Sequence, residues 1–196
     1  VHYTSLNKKK WEFTSDRHAE TLKNIMLRYF TYYSPATLAD FCHWSGLKKA
    51  FAEGKFNEIK NSLEEFSFDN KKYYLPKNDE DLLSLKNDNG FNDNKEVLLL
   101  GKFDPLFVCY RHKDWIASPA QEKEVWRTSA IIEAVFLLGN RLSGTWRYET
   151  KGKNINFNFF MFEKVNASEK KKLIKKAENL ALFQKKKINE INFSSY

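Results

Sequence analysis

Residues 28–47, RYFTYYSPATLADFCHWSGL, constrain the fold of this chain more than any other stretch. They follow a segment, 17–33, in which Ala19, Leu22, Ile25, Met26, Tyr29, Phe30 and Tyr33 recur at three- and four-residue intervals, the spacing of one buried helix face. A Ser34-Pro35 turn comes next, and Thr37 followed by Asp40 has the form of a capping box, in which a hydroxyl and a carboxylate satisfy the free amides of a helix start. Leu38, Phe41 and Cys42 then fall on one face, and Gly46 stands where a left-handed helix stop is wanted. Two helices, a tight turn and a further helical segment make the layout of a helix-turn-helix. Such units often bind DNA, but the layout alone does not establish it.

At 196 residues the chain can hold one or two domains, and 16% aromatic content with five Trp argues for packed cores. Its net charge of +8 suits a polyanionic partner and is equally an ordinary solubility device. Two isolated cysteines, Cys42 and Cys109, give no disulfide framework and fit a reducing compartment. No apolar run approaches the roughly 18 residues of a membrane span, and no signal peptide opens the sequence. A soluble, cytoplasmic monomer without membrane contact or a small-molecule cofactor is expected.

Taken in order, residues 1–15 read as a short hairpin around Asn7-Lys8-Lys9. A lone hairpin is marginal in water. It is either the remnant of a preceding winged helix or a strand pair docked on the next domain. After the organising stretch, residues 47–66 read as helical, with Phe56, Ile59, Leu63 and Phe66 along one side and a break or kink at Gly54. Residues 67–76 place Asp69-Asn70 between short aromatic strands, with Lys71 and Lys72 on the return. Residues 16–76 thus read as a winged helix. Residues 77–96 are acidic and contain the turn-forming run Asn87-Asp88-Asn89-Gly90, which reads as a linker.

The last part, 97–196, is β-rich. A strand at 97–100 precedes Asp104-Pro105, an N-cap followed by proline in the first helical position. Gly139-Asn140 has the form of a two-residue hairpin turn between 131–138 and 141–149, although 131–138 fits a helix as well. A second turn at Lys151-Gly152 leads into 154–162, where Ile155, Phe157, Phe159 and Met161 alternate with their neighbours as a strand requires. A helix at 168–187 and a strand at 191–193 close the chain. The fold class expected is α+β: a winged helix followed by an antiparallel β-barrel-like module with a C-terminal helix.

Catalytic signals are thin. His2, His18, His43 and His112 show no metal-site spacing, and Cys42-His43 are helix neighbours that do not face each other. Cys109, Tyr110, Arg111 and His112 near Asp114 suit packing and surface roles, and Asp104 is explained as an N-cap. No phosphate-cradling glycine loop and no Gly-x-Ser-x-Gly elbow is present. No catalytic residue and no metal ligand is assigned. Binding signals are stronger. Lys48, Lys49, Lys55 and Lys60 lie on or beside the segment from which a recognition helix enters the major groove, and Lys71 and Lys72 lie on the wing. Arg141, Arg147, Lys151 and Lys153 lie at or near the two hairpin tips of the β module. Glu58, Glu64 and Glu65 share the third helix with its lysines, as on a solvated face, so contact and solvation both remain open there. The lysines of the closing helix read as a solvated face.

Several of these pieces together resemble one family. Arg28-Tyr29-Phe30, Ser34-Pro35-Ala36-Thr37, Asp40-Phe41 and Trp44-Ser45-Gly46-Leu47 look like its last winged helix. Phe103-Asp104-Pro105 with Tyr110-Arg111 looks like the opening of its β domain, and Gly139 with Gly144-Thr145-Trp146-Arg147 looks like its hairpin. The family is the bacterial winged-helix DNA glycosylases, which excise alkylated bases and unhook interstrand crosslinks; the similarity spans about residues 1–183. It implies double-stranded DNA as partner and a Gln-x-Gln or Gln-x-Asp pair in a first winged helix. This sequence has only Gln121 and Gln184, neither in such a motif. The resemblance therefore implies a C-terminal portion that binds DNA. The alternatives are a non-enzymatic winged-helix regulator and a protein-interaction module.

Overall fold

The computed structural model describes residues 15–77 and 96–196, and the chain divides into two compact units, Val1–Leu83 and Ser84–Tyr196. Residues 1–14 of the hairpin read over 1–15, and all but the ends of the 77–96 linker, lie outside the described residues. Among the described residues no helix is long and apolar enough to cross a membrane.

In the first unit α1 (Ser15–Tyr32) buries Met26, Tyr29 and Phe30, the repeat that the sequence shows. The turn after it holds a cis Ser34–Pro35 bond and delivers Thr37 as N-cap of α2 (Leu38–Ser45). The capping box is complete: Thr37 Oγ1 accepts from the Asp40 amide at 3.1 Å, and Asp40 Oδ2 accepts from the Thr37 amide at 2.8 Å. Gly46 ends the helix at φ +71°, a conformation in which a side chain would be strained. Because both ends of α2 are fixed this way, Thr37→Ala is expected to cost about 1 kcal/mol, read as a lower urea midpoint with unchanged m-value.

Helix α3 (Lys49–Ile59) runs unbroken through Gly54, contrary to the expected break. It is also shorter than expected: a single 3₁₀ turn, Lys60–Ser62, ends it, and Leu63 and Phe66 belong to β1 (Leu63–Phe68). Polar Lys60, Asn61 and Ser62 cannot extend the apolar face, and the chain turns into a hairpin instead. Strand β2 (Lys71–Pro76) pairs antiparallel with β1 across Asp69 and Asn70, both at positive φ, which matches strand twist. Tyr74 exchanges two backbone hydrogen bonds with Ala36, so the hairpin is tied to the turn before α2. Phe56 packs between Phe30 at 5.5 Å and Tyr74 at 4.8 Å, which fixes α3 against both α1 and the hairpin.

The second unit is built on an open five-stranded sheet in the order β3 (Val97–Leu100), β6 (Val135–Leu138), β7 (Arg141–Lys151), β8 (Asn154–Met161) and β9 (Lys187–Ser195). Among the described residues the sheet does not close into the barrel-like module expected: β9 joins β8 in parallel and leaves β3 and β9 as separate edges. On one face, Phe136, Trp146, Phe157 and Phe159 pack on α6 (Ala167–Phe183), through Leu173, Ala177 and Ala181. That helix ends four residues before the expected limit at 187, and Lys187 begins β9. On the other face, Val135, Leu137 and Leu142 pack against Phe107 of α4 (Pro105–Val108) and Val125 of α5 (Pro119–Val125). Asp104 caps α4 as expected. The segment expected as one strand at 131–138 is split into β5 (Ile131–Ile132), which pairs with β4 (Trp126–Arg127), and β6. Gly144, opposite Phe136 and Met161, leaves no room for a Cβ.

Candidate nucleic-acid interface

In the first unit the cations divide by what surrounds them. Lys55 Nζ lies 2.5 Å from Glu58, Lys60 Nζ 3.1 Å from Glu65, and Lys72 Nζ 2.6 Å from Glu65. The Tyr74 hydroxyl also donates to Glu65, at 3.0 Å, so one carboxylate ties the 3₁₀ turn to the β1–β2 hairpin. The Lys72, Lys60 and Tyr74 donors hold the Glu65 carboxyl down to about 2, against an ordinary value of 4.5. A carboxyl with a depressed folded-state pKa stabilises the fold above its unfolded value and loses that contribution as pH falls toward the folded one. Glu65→Gln is therefore expected to lower the melting temperature slightly at neutral pH. The difference from wild type should vanish as pH falls from about 4.5 to about 2, read by thermal denaturation across that window. Lys71 is half-buried in β2.

Lys48 and Lys49 are different. Both are exposed, and neither forms an ion pair among the described residues. Lys48 occupies the N-cap of α3 in an extended conformation with no side-chain cap, and the first turn carries no acidic residue. The free amides and positive dipole end of such a helix start favour an anion, and two lysines flank them. Phe51, on the same turn, is 64% exposed, and Phe68, beside the hairpin turn, is 66% exposed. Cations, unsatisfied amides and a bare ring on one helix start can grip a phosphate and stack on a sugar or base.

In the second unit the structure does not gather the four expected cations. Arg141 opens the eleven-residue strand β7 and Lys151 ends it, so at about 3.3 Å per residue they are roughly 30 Å apart. Arg141 is paired with Glu163 at 2.8 Å and lies 4.0 Å from Glu169. Arg147 is in mid-strand rather than at a hairpin tip, and its Nη2 donates to Glu133 at 2.8 Å. Lys151 and Lys153 are exposed at the far tip. Lys151 there lines a cleft of about 370 Å³ with Glu149, Thr150, Asn154, Asn156 and Asn189. Side-chain amides run along the open face beside it: Asn189 donates to Asn156 at 3.1 Å and Asn192 to Asn158 at 3.2 Å.

Several other candidates for chemistry are in structural use. Gln121 closes the capping box of α5 with Ser118 and donates to the Leu142 carbonyl. Cys109 is buried, Trp115 donates to the His112 carbonyl, and Lys113 donates to the Tyr110 carbonyl. Among the described residues no cluster of His, Cys, Asp or Glu is placed to hold a metal. Sequence reading missed Glu133, a nearly buried carboxylate between Arg147 and Lys102. Its one signal was a charge inside the apolar run Ile131-Ile132-Glu133-Ala134-Val135.

A family model described as "DNA glycosylase AlkZ-like" matches residues 2–183. Among solved structures the chain is similar to Streptomyces sahachiroi DNA glycosylase AlkZ, with a TM-score of 0.66 and 17% sequence identity over 91% of this chain and 46% of that one. At this identity the likeness is one of fold, a mixed α+β arrangement of helices and sheets. The chain spans about half the length of that protein. A comparison with curated proteins found no match.

Proposed function

Because the chain belongs to the AlkZ-like DNA glycosylase family, we propose that it is a DNA-binding portion of a repair glycosylase that acts on alkylated bases or crosslinks. In this reading residues 16–76 are a winged helix, 77–96 a linker and 97–196 a β module, and the chain binds duplex DNA as a monomer. Helix α3 is the recognition helix, with Lys48 and Lys49 on the phosphates at its start. The β1–β2 hairpin is the wing, with Lys71 and Lys72 toward the backbone.

The observation that carries the reading is the uncapped start of α3, flanked by two lysines that no carboxylate neutralises among the described residues. A helix start meant only for solvent exposure is commonly capped by Ser, Thr, Asp or Asn, as α2 and α6 are here. Base removal in the whole protein is N-glycosidic hydrolysis at a cationic alkylated purine, already a good leaving group. A glutamine pair that positions water then suffices without a strong base. This sequence has no Gln-x-Gln motif, so the 196-residue chain by itself is expected to bind duplex and excise nothing.

Titration of a short fluorescent duplex at low salt tests the binding, with saturable association expected. No association at low salt contradicts the reading and favours a protein-interaction module. Release of an alkylated base by this chain alone contradicts the placement of the chemistry.

A further inference from the structure

Glu133 lies in the step between β5 and β6, with its side chain only 4% exposed. Its backbone amide donates to the Val125 carbonyl at 2.9 Å, so its position is fixed by the main chain. Val135 is the register partner of Thr145, and the Trp146 amide donates to the Ala134 carbonyl, so Glu133 stands across from Arg147. Glu133 Oε1 accepts from Arg147 Nη2 at 2.8 Å. Its other oxygen, Oε2, is buried with no hydrogen-bond partner, and Lys102 Nζ approaches it at 3.4 Å. The Arg147 guanidinium also lies over the Phe160 ring, 5.7 Å from its centroid.

The anion is hidden and the two cations are not: the Arg147 and Lys102 side chains are 46% and 49% exposed. A buried ion pair is a poor stabilising device, because desolvation of the carboxylate offsets most of its attraction. A buried carboxylate that fixes two surface cations does something else. It holds the guanidinium through Nη2 while the Arg147 side chain stays 46% exposed, and keeps an ammonium within the span of the same carboxylate. Arginine held in this way is suited to the oxygens of a phosphate, and less side-chain freedom is lost when it binds.

We propose that Arg147 and Lys102 form a phosphodiester-binding site and that Glu133 is its positioning residue; the proposal rests on the DNA-binding reading above. The site lies on the sheet face that also carries Asn158, the register partner of Arg147. A backbone phosphate there would receive charge-assisted hydrogen bonds from Arg147 and a point charge from Lys102. Such a contact positions the duplex without reading its sequence.

The test uses the full 196-residue chain and a fluorescent duplex, titrated by anisotropy at several salt concentrations. Arg147→Ala and Lys102→Ala are each expected to weaken binding about three- to tenfold and to reduce the salt slope by about one. Glu133→Ala is expected to weaken binding as well, although it removes a negative charge and simple electrostatics predicts the opposite. Glu133→Gln keeps an acceptor for the guanidinium and is expected to bind at least about half as tightly as wild type. Should Glu133→Ala fail to fold, Arg147→Lys decides: it keeps the charge, loses the fork, and is expected to weaken binding with little change in slope. Wild-type binding with unchanged Arg147→Ala and Lys102→Ala overturns the site, and so does wild-type affinity in Arg147→Lys. Equal or tighter binding by folded Glu133→Ala overturns the positioning role. A wild-type chain that binds no duplex overturns the DNA-binding reading itself, and this proposal with it.

Discussion

Gly144→Ala is expected to leave the second unit unfolded or close to it. A Cβ at this position would lie 2.2 Å from the Phe160 carbonyl oxygen and 2.4 and 2.6 Å from two atoms of the Phe136 ring. Neither neighbour can give way. The carbonyl belongs to β8, held between β7 and β9, and Phe136 is fully buried with its ring centroid 5.8 Å from that of Phe159. Relief requires either a rotamer that the core has no room for or separation of β7 from β8. Overpacking of this kind exceeds about 3 kcal/mol, a large share of the roughly 5–15 kcal/mol that holds a typical domain together. Urea denaturation followed by tryptophan fluorescence measures it, with Gly101→Ala as the control, since nothing lies within 4 Å of a Cβ there. A Gly144→Ala midpoint equal to that of the control contradicts the packing described here.

The second large effect concerns binding. The Lys48→Glu, Lys49→Glu double variant is expected to lose duplex affinity on the order of a hundredfold at low salt. Two phosphate contacts disappear, and two carboxylates then face the same phosphates at the positive end of α3. Lys55→Ala is the matched control. Its ammonium is already held by Glu58 at 2.5 Å, so its removal is expected to change affinity less than about threefold. The two variants separate a specific contact from a general loss of positive charge. If Lys55→Ala and the double variant lower affinity equally, the start of α3 has no special role. Melting temperatures within a few degrees of wild type show that the change lies in binding.

Local chemistry made much of this fold legible. Thr37 and Asp40 form a capping box wherever the flanking chain permits, and Gly46, Asp69-Asn70 and Gly139 mark turns through backbone conformations that few residues adopt. The alternation of Ile155, Phe157, Phe159 and Met161 is that of β8, with those four buried. The end of the third helix was not legible, because Leu63 and Phe66 continue a three-and-four spacing that the hairpin then uses as a strand. Closure of the sheet was not legible either. Whether β9 meets β3 or adds to β8 in parallel depends on where α6 delivers the chain, a long-range matter without a local signature.

The same limit applies to the candidate site. The basic residues are visible in the sequence, but what neutralises them is not. Arg141 is paired with Glu163 and Arg147 with Glu133, each partner distant along the chain, and Lys72 with Glu65 across the hairpin. Lys48 and Lys49 stand out only once those pairings are known.

The chain is proposed to grip duplex DNA through phosphates at the start of α3. The most direct test is the slope of log affinity against log salt for wild type and for Lys48→Ala, Lys49→Ala. A negative wild-type slope that becomes shallower by about two in the variant is the predicted result, one counterion equivalent for each lysine. A flat wild-type response, or an identical slope in the two proteins, contradicts it.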